Sequence, residues 1–234
     1  MKDNFSEQPD NYARFRPIYP KELYIYLYSL LEDNQTAWDV GTGNGQVALE
    51  LSRYFKRVFA TDISQAQLDQ ARQRKKITYS LQPAEKTNFE DDLFDLCIVA
   101  QAIHWFDFGK FYEEINRTAK DNSIIAVIGY GRIKINEELD QIISSFYYDV
   151  IGPYWDPERK YIDENYDTIP FPFAPIHSPP FKNLFNWTFD HLIGYLRTWS
   201  AVQHYSRVKG ADPIELIYPA LKKIWGGELA RQVN

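Results

Sequence analysis

The sequence predicts an α/β fold, in which a doubly wound and mostly parallel sheet carries helices on both faces. Apolar runs of strand length alternate with segments of helical spacing. Most of these runs are continuously apolar, as expected for strands that are covered on both sides. The first run also leads directly into a turn with three glycines, and such a fold binds its ligand at the carboxyl ends of the strands, where the strand order reverses.

The elements can be placed in order along the chain. A helix begins at Pro20, and one side of it carries Leu23, Leu27, Leu30 and Leu31. The strand candidates are residues 36–40, 57–61, 77–81, 94–100 and 123–130. A helix is predicted from Gln46 to Phe55, and Ser64 with Gln67 forms a capping box that begins the next helix.

The glycine turn indicates the kind of ligand. Residues 37–45 read Ala-Trp-Asp-Val-Gly-Thr-Gly-Asn-Gly, and glycine at every second position lets the backbone fold tightly beneath a ligand. A dinucleotide fingerprint requires its third glycine at position 46, which is Gln46. Asp39 precedes the first glycine by two residues and would repel a phosphate. A ligand with a cationic head fits better, although a solvated acid beside a plain tight turn is the alternative.

Other polar residues fall at the ends of the predicted strands. Asp62 closes the second strand two residues before Ser64, where the capping box begins, so its carboxylate is well placed to accept hydrogen bonds from two ribose hydroxyls. Asp39, Glu85 and Gln101 also fall at or just after strand ends. Their convergence at one edge of the sheet predicts a common site.

Short motifs are shared with a known enzyme family. They are Asp39-Val-Gly41-Thr-Gly43-Asn-Gly45, Thr61-Asp62-Ile63-Ser64, Tyr12-Ala-Arg14-Phe-Arg16-Pro17 with Tyr19-Pro20, Pro83-Ala84-Glu85, Gln101-Ala-Ile-His104-Trp105-Phe106 and Tyr195-Leu-Arg197-Thr-Trp199-Ser200. On these residues the chain resembles the class I S-adenosylmethionine-dependent methyltransferases. Within that class it is similar to the small-molecule type-11 group, which includes trans-aconitate methyltransferases. The resemblance implies a Rossmann-like methyltransferase sheet and S-adenosylmethionine as cofactor.

The resemblance also implies roles for individual residues. Gly41 and Gly43 would contact the methionine part through backbone atoms, Asp62 the ribose, Ile63 one adenine face and Ala84-Glu85 the adenine edge. The full cofactor-binding set is Asp39, Gly41, Thr42, Gly43, Asp62, Ile63, Ala84, Glu85 and Gln101. Glu85 could equally be an ordinary solvated loop glutamate.

We expect one methyltransferase domain over residues 1–234. Its parts are an N-terminal cap at 1–34, a cofactor-binding core at 35–131, an irregular insertion at 132–181, and a C-terminal strand and helices at 182–234. The insertion opens with a helix from Glu137 to Ile151 capped by Asn136, and then combines seven of the thirteen prolines with many aromatic residues. It is interpreted as a lid over the substrate; an aromatic plug or a dimer contact is the alternative.

Five expectations concern the C-terminal part. A strand is expected at 183–189, and Asp190 is expected to cap a helix that runs through Tyr205. Asp212 with Pro213 should start a last helix that ends near Gly226, and Pro219 should kink it. Members of the fold usually finish with an antiparallel strand, for which only residues 228–234 remain.

Several residues are candidates for binding the methyl acceptor. Methyl transfer from a sulfonium is an in-line displacement that depends chiefly on alignment and exclusion of water, so a base is optional. An acceptor carboxylate would need cationic clamps, for which the candidates are Arg14, Arg16, Arg132 and Arg197. His104, just past the fourth strand, is either a general base for a hydroxyl or amine or a structural histidine that orients Trp105. The residues predicted to take part in catalysis are His104, Arg14 and Arg197.

Composition narrows the function classes. A net charge of −6 without a basic block argues against nucleic acid as a partner. The single cysteine, Cys97, lies in an apolar run and is expected to be a buried small hydrophobe in a reducing cytoplasm. The four histidines lack metal-ligand spacing, and no apolar run is long enough to span a membrane. The predicted function is therefore methylation of a small molecule, with a non-catalytic S-adenosylmethionine sensor as the alternative and a nicotinamide dehydrogenase disfavoured by Gln46 and Asp39.

Overall fold

The structure, a computed structural model, describes residues 14–234. The first two residues of the motif that begins at Tyr12, and residues 1–13 of the expected cap at 1–34, therefore lie outside the described residues. The described chain divides into two compact units. The first contains Pro20–Tyr130 and Lys160–Pro180, and the second contains residues 14–19, Gly131–Arg159 and Phe181–Asn234.

The helices and strands are numbered here in chain order. The strands are β1 (Thr36–Val40), β2 (Arg57–Asp62), β3 (Ile77–Leu81), β4 (Phe94–Ala100), β5 (Ala119–Ile128), β6 (Phe185–Trp187) and β7 (Arg231–Val233). The α-helices are α1 (Lys21–Ser29), α2 (Gln46–Leu51), α3 (Gln65–Asp69), α4 (Phe108–Thr118), α5 (Glu137–Ser145), α6 (Arg159–Asp163), α7 (Phe189–Arg197), α8 (Ser200–Lys209) and α9 (Tyr218–Trp225).

The first unit is built on one parallel sheet with the strand order β3-β2-β1-β4-β5. The predicted fold class is thereby confirmed. The order reverses at β1, which lies between β2 and β4, with Asp39 level with Ala60 on one side and Ile98 on the other. The carboxyl ends of these three central strands therefore meet at one edge, where the sequence predicts the site.

Burial explains why β1 and β4 are continuously apolar. Trp38 is fully buried, and its indole donates a 2.9 Å hydrogen bond to Oγ1 of Thr61 while its ring stacks on Phe94. Cys97 is likewise fully buried in β4, as expected from the sequence, and burial raises the pKa of its thiol far above the usual range. An indole whose N–H is satisfied contributes apolar packing without a desolvated donor.

Several predicted boundaries need correction. The strand predicted at 123–130 is β5, which already begins at Ala119, and the helix predicted to reach Phe55 ends at Leu51. The helix predicted to reach Ile151 is regular only over α5, after which the backbone widens into a π-helical turn, Phe146–Val150. Periodicity marks the apolar face of such segments but not the change of helix type.

The second unit has its own core, centred on α5, α7, α8 and α9. The expectation that Asp190 caps a helix through Tyr205 is wrong on two counts. The cap is Thr188, whose side chain accepts from the amide of His191, and the helix ends at Arg197 before α8 begins at Ser200. Asp190 lies in the first turn, where an acid is also favourable.

The C-terminal elements follow the sequence signals in part. Asp212 caps a short 3₁₀ turn, Pro213–Leu216, through the amide of Ile214. Pro219 does not kink a helix, because α9 begins at Tyr218 and the proline lies in its first turn, where a missing N–H costs nothing. The final residues do form a short antiparallel strand, since β7 pairs with β6 in a separate two-stranded sheet.

The proline-rich part of the predicted insertion packs on the first unit. Tyr161 contacts Phe108 edge-on at a ring-centroid distance of 5.5 Å, and Phe171 and Phe173 pack on Tyr112 of α4. Lys160–Pro180 is thus an ordered part of that unit despite its prolines. Across residues 14–234, no helix is both long and apolar enough to cross a membrane, and no group of three or more metal-ligating side chains comes together.

Candidate functional site

The glycine turn after β1 adopts a left-handed backbone at all three glycines. Gly41, Gly43 and Gly45 have φ of +67°, +55° and +80°. A Cβ on Gly41 would lie 2.8 Å from Cβ of Ala102, and a Cβ on Gly45 would collide with the hydroxyl of Tyr79. At Gly43 the nearest atom would be 3.8 Å away. Glycine is therefore demanded by crowding at two positions and by φ at all three, and a Cβ at the middle one would make only an ordinary contact, with Oε1 of Gln67.

Asp39 lies beneath this turn and is only 1% exposed. Its Oδ2 accepts a 2.5 Å hydrogen bond from Oγ1 of Thr42 and a 2.8 Å hydrogen bond from the amide of Ala48 in α2. One carboxylate oxygen thus ties the end of β1 to the turn and to the next helix. The alternative of a solvated strand end does not apply to a side chain this deeply buried.

The charge of Asp39 is sensitive to what lies near it. Burial raises the pKa of its carboxyl to about 7, the hydrogen bonds from Thr42 and Ala48 oppose this rise, and the nearby carboxylate of Asp62 adds to it. A buried acid whose pKa lies near neutral pH becomes fully ionised when a cation approaches. The electrostatics of the turn therefore favour a cationic ligand group over a phosphate.

Asp62 ends β2 and is fixed at both carboxylate oxygens. Oδ2 accepts a 2.8 Å hydrogen bond from the amide of Gly43, and Oδ1 accepts a 2.9 Å hydrogen bond from the amide of Ser64. Ser64 in turn caps α3 through the amide of Gln67, as the capping box predicts. A carboxylate held in this orientation is the kind of side chain that accepts hydrogen bonds from two vicinal hydroxyls.

The remaining cofactor candidates follow β2, β3 and β4. Ile63 is partly buried next to Asp62, and Ala84 is 2% exposed in the loop after β3. Glu85 is not merely solvated, because its Oε1 accepts a 3.0 Å hydrogen bond from the amide of Asp107, the residue that caps α4. Gln101 takes a left-handed φ of +54° and donates from Nε2 to the carbonyl of Tyr130.

His104 lies in the 3₁₀ turn Ile103–Trp105 after β4, and that loop touches the glycine turn where Ala102 meets Gly41. The imidazole is 5% exposed. Its Nδ1 lies 3.1 Å from the hydroxyl of Tyr166, and its ring contacts that of Trp105 at 4.8 Å between centroids. Both expected roles are compatible with this position.

The arginine candidates belong to the second unit and differ in their surroundings. Arg197 donates from Nε to Asp212 at 2.7 Å and from Nη2 to Glu215 at 3.0 Å, which indicates a structural ion pair. Arg16 donates to the carbonyl of Thr198. Arg14 is exposed and lies over the ring of Phe15.

Arg132 is held differently. Its Nη1 donates to Oγ of Ser144 at 3.0 Å, and its guanidinium lies over the rings of Tyr147 and Tyr148. It forms no ion pair with any carboxylate of residues 14–234.

Sequence reasoning missed two side chains of the first unit. Tyr79, in β3, fills the space that the absent Cβ of Gly45 leaves, and the pKa of its hydroxyl is raised to about 12 by burial and by Asp39. Tyr166, in the proline-rich segment, touches His104. Neither tyrosine lies in a recognisable sequence motif, because the contacts of both form only when distant segments pack together.

Known proteins are similar to this chain in sequence. The family described as a methyltransferase domain matches residues 38–127. A Dictyostelium discoideum protein described as a methyltransferase is 34% identical over 227 residues, which cover 95% of this chain and 86% of that protein. A Saccharomyces cerevisiae protein described as an S-adenosylmethionine-dependent methyltransferase is 26% identical over 50% of this chain and 43% of its own length.

A solved structure agrees over most of the chain. The protein, from Anaeromyxobacter dehalogenans and described as a type II methyltransferase, is 38% identical, with a TM-score of 0.86 over 94% of each chain. The chain belongs to the S-adenosylmethionine-dependent methyltransferase family. The sequence-based resemblance to that family is thus confirmed, as are the enzyme class and the cofactor.

The residues of this methyltransferase fit the cofactor on geometric grounds. The three glycines leave the backbone of the turn without side chains at their positions, so that a ligand can approach it, and the buried acid Asp39 suits an ammonium or a sulfonium. Asp62 is oriented by two amides, and a carboxylate is a suitable acceptor for ribose hydroxyls. When it is bound, S-adenosylmethionine supplies the activated methyl group, and the protein supplies position and charge.

Proposed function

We propose that this methyltransferase acts on a small molecule at a carboxylate or another oxygen, as a relative of the trans-aconitate methyltransferase group. The proposal is supported by the run from Gln101 to Phe106, which contains His104 and Trp105, and by the run from Tyr195 to Ser200. These runs resemble that group more specifically than the glycine turn does. The observation that carries the proposal is the placement of His104 in a loop that contacts Gly41 through Ala102.

The cofactor-binding roles are part of the same proposal. Asp62 would accept from the ribose, Gly43 would approach the methionine part, and Ile63 with Ala84 would border the adenine. Thr42 would act through Asp39, to which it donates. Glu85 and Gln101 would shape the loops around the cofactor, because their side chains bond the backbone of Asp107 and Tyr130.

The acceptor end needs positive charge or hydrogen-bond donors more than it needs a base. A carboxylate oxygen forms the new C–O bond as the C–S bond breaks, and no proton is released; a hydroxyl acceptor would release one. A guanidinium can grip a carboxylate at two points, and that of Arg197 is already engaged in this way by Asp212 and Glu215.

The experiment is a methyl-transfer screen with methyl-labelled S-adenosylmethionine across small di- and tricarboxylic acids, phenols, alcohols and amines. Products are then treated with mild base, which hydrolyses a methyl ester to methanol and leaves ethers and methylamines intact. We expect base-labile label with acids. Label that survives base in every product would contradict the carboxylate, and turnover restricted to amines would contradict oxygen methylation altogether.

A further inference from the structure

Tyr166 occupies a strained position that brings its hydroxyl to His104. Asn165 and Tyr166 have φ of +53° and +65°, a region that costs non-glycine residues free energy. The turn is held by a 2.7 Å hydrogen bond from the amide of Tyr166 to the carbonyl of Tyr161 and by one from the amide of Ile169 to the carbonyl of Tyr166. The left-handed conformation of Asn165 and Tyr166 thus positions the phenol of Tyr166 beside His104.

The ring of Tyr166 is also fitted to the sheet. A Cβ added to Gly129, just beyond β5, would lie 2.7 Å from Cε2 of Tyr166. Gly129 does not have a left-handed φ, so its lack of a side chain matters here for space rather than for backbone conformation. The ring planes of Tyr166 and His104 are 24° from parallel, which is compatible with a hydroxyl near the imidazole plane, where the lone pair of Nδ1 lies.

The 3.1 Å contact can be made in two ways, and chemistry favours one. Either the phenol donates to Nδ1, or Nδ1–H donates to the phenol oxygen. A phenol is a good donor and a weak acceptor, whereas an unprotonated imidazole nitrogen is a strong acceptor. The hydrogen bond at one ring nitrogen decides where the proton of the neutral ring lies.

We propose that Tyr166 is a positioning residue that donates to Nδ1 of His104 and so holds the neutral imidazole in its Nε2–H tautomer. In that form the ring offers a hydrogen bond from Nε2 and does not remove a proton with it. His104 would then stabilise an acceptor oxygen that is already anionic, which points to acids over alcohols. This consequence for the acceptor rests on the proposed function, whereas the tautomer does not.

The test is a long-range ¹H–¹⁵N spectrum of the full chain labelled with ¹⁵N-histidine. The chain has four histidines, and His104→Gln identifies the signals of His104. We expect an unprotonated Nδ1 and a protonated Nε2 in the wild type. A protonated Nδ1 with an unprotonated Nε2 would overturn the proposal without the use of any Tyr166 variant.

Three variants test whether Tyr166 is the cause. Tyr166→Phe should move the two nitrogen signals of His104 towards each other, as the ring samples both tautomers. Gly129→Ala, which keeps the hydroxyl but displaces the ring, should shift them in the same direction. Tyr161→Phe is the matched control, because the hydroxyl of Tyr161 forms no hydrogen bond within residues 14–234, and it should leave the signals unchanged.

The outcomes are separable from those of the proposed function. Unchanged His104 signals in folded Tyr166→Phe would overturn the proposal, and if that variant does not fold, unchanged signals in Gly129→Ala would do so. Binding of S-adenosylhomocysteine, measured by titration calorimetry, should be the same for Tyr161→Phe and the wild type. A wild type that binds no S-adenosylhomocysteine would count against the cofactor roles and leave the tautomer result standing.

Discussion

The amide of Gly43 donates a 2.8 Å hydrogen bond to Oδ2 of Asp62, nineteen residues further along the chain at the end of the neighbouring strand. The glycine turn and the acid at the end of β2 are therefore one mechanical unit. The amide of Thr42 adds a second link, donating to the carbonyl of Thr61 at 2.9 Å. A substitution of Asp62 should alter the conformation of the glycine turn, and a substitution in the turn should alter the orientation of the Asp62 carboxylate.

Asp62→Asn should weaken binding of S-adenosylhomocysteine by about 10- to 100-fold. The amide side chain cannot accept at both positions, and hydrogen bonds to a charged group are worth roughly 1.5–3 kcal/mol. Titration calorimetry measures the loss. Asp69→Asn is the control, because Asp69 is an exposed acid at the end of α3 whose bond is to Gln65. Equal affinity of Asp62→Asn and the wild type would contradict the ribose assignment.

Gly45→Ala should destabilise the protein more than Gly210→Ala, although both glycines are left-handed. At Gly210 a Cβ meets nothing within 4 Å, so that variant measures the backbone cost alone, roughly 1–2 kcal/mol. At Gly45 the Cβ collides with Tyr79, which should add about 1–3 kcal/mol. Urea unfolding gives both values.

The excess at Gly45 should shrink when the clash is relieved. In Tyr79→Phe the hydroxyl is gone, so adding Gly45→Ala to that background should cost less than adding it to the wild type. Equal costs in the two backgrounds would show that the clash with the hydroxyl of Tyr79 does not contribute to the excess.

Asp39 should make stability depend on pH between about pH 4 and pH 7. Its folded-state pKa of about 7 lies above the ordinary value of 3.8, so in this range the folded state binds the extra proton. Stability should therefore fall as the pH rises through the window, by up to about 1.4 kcal/mol per pH unit, and level off above it. The measurement is urea unfolding at a series of pH values.

Asp39→Asn isolates this contribution. The amide oxygen can keep accepting from Thr42 and Ala48, but the side chain does not titrate. Relative to the wild type, the variant should gain stability from pH 4 to pH 7 and keep a constant difference above that. A difference that does not change with pH would refute the raised pKa.

Arg197→Ala should lower stability slightly and leave affinity for S-adenosylhomocysteine unchanged. Its side chain is 43% exposed, and exposed ion pairs contribute at most about 1 kcal/mol. Thermal unfolding measures the change in stability, and titration calorimetry measures the affinity. A full loss of methyl transfer with an unchanged melting temperature would instead assign Arg197 to the acceptor, and Arg14→Ala serves as the comparison from the same unit.

The sequence predicted the sheet well because its signals are local. The apolar runs of β1 and β4, the glycine turn and the Ser64 cap each depend on a few adjacent residues, and all are as expected. The strand that begins at Ala119 was placed too late because its first residues, including Lys120 and Asp121, are polar and exposed or only partly buried.

The rest depended on contacts between distant segments. The sequence favours Asp190 over Thr188 as the helix cap, because aspartate is the stronger N-cap residue. Only the structure shows that Thr188 accepts from the amide of His191. The pairing of Arg197 with Asp212 and Glu215 joins two segments that pattern analysis treats separately. The partner of His104 could not be foreseen either, since Tyr166 lies 62 residues away.

The burial of Cys97 turns the single thiol into a reporter. A thiol-specific reagent can reach it only when β4 separates from its neighbours, so the rate of labelling under native conditions measures the opening of the central sheet. A ligand that tightens the link between Gly43 and Asp62 should slow the labelling in proportion to its binding. The labelling rate of this natural cysteine therefore reports how often the central strands beside the glycine turn open.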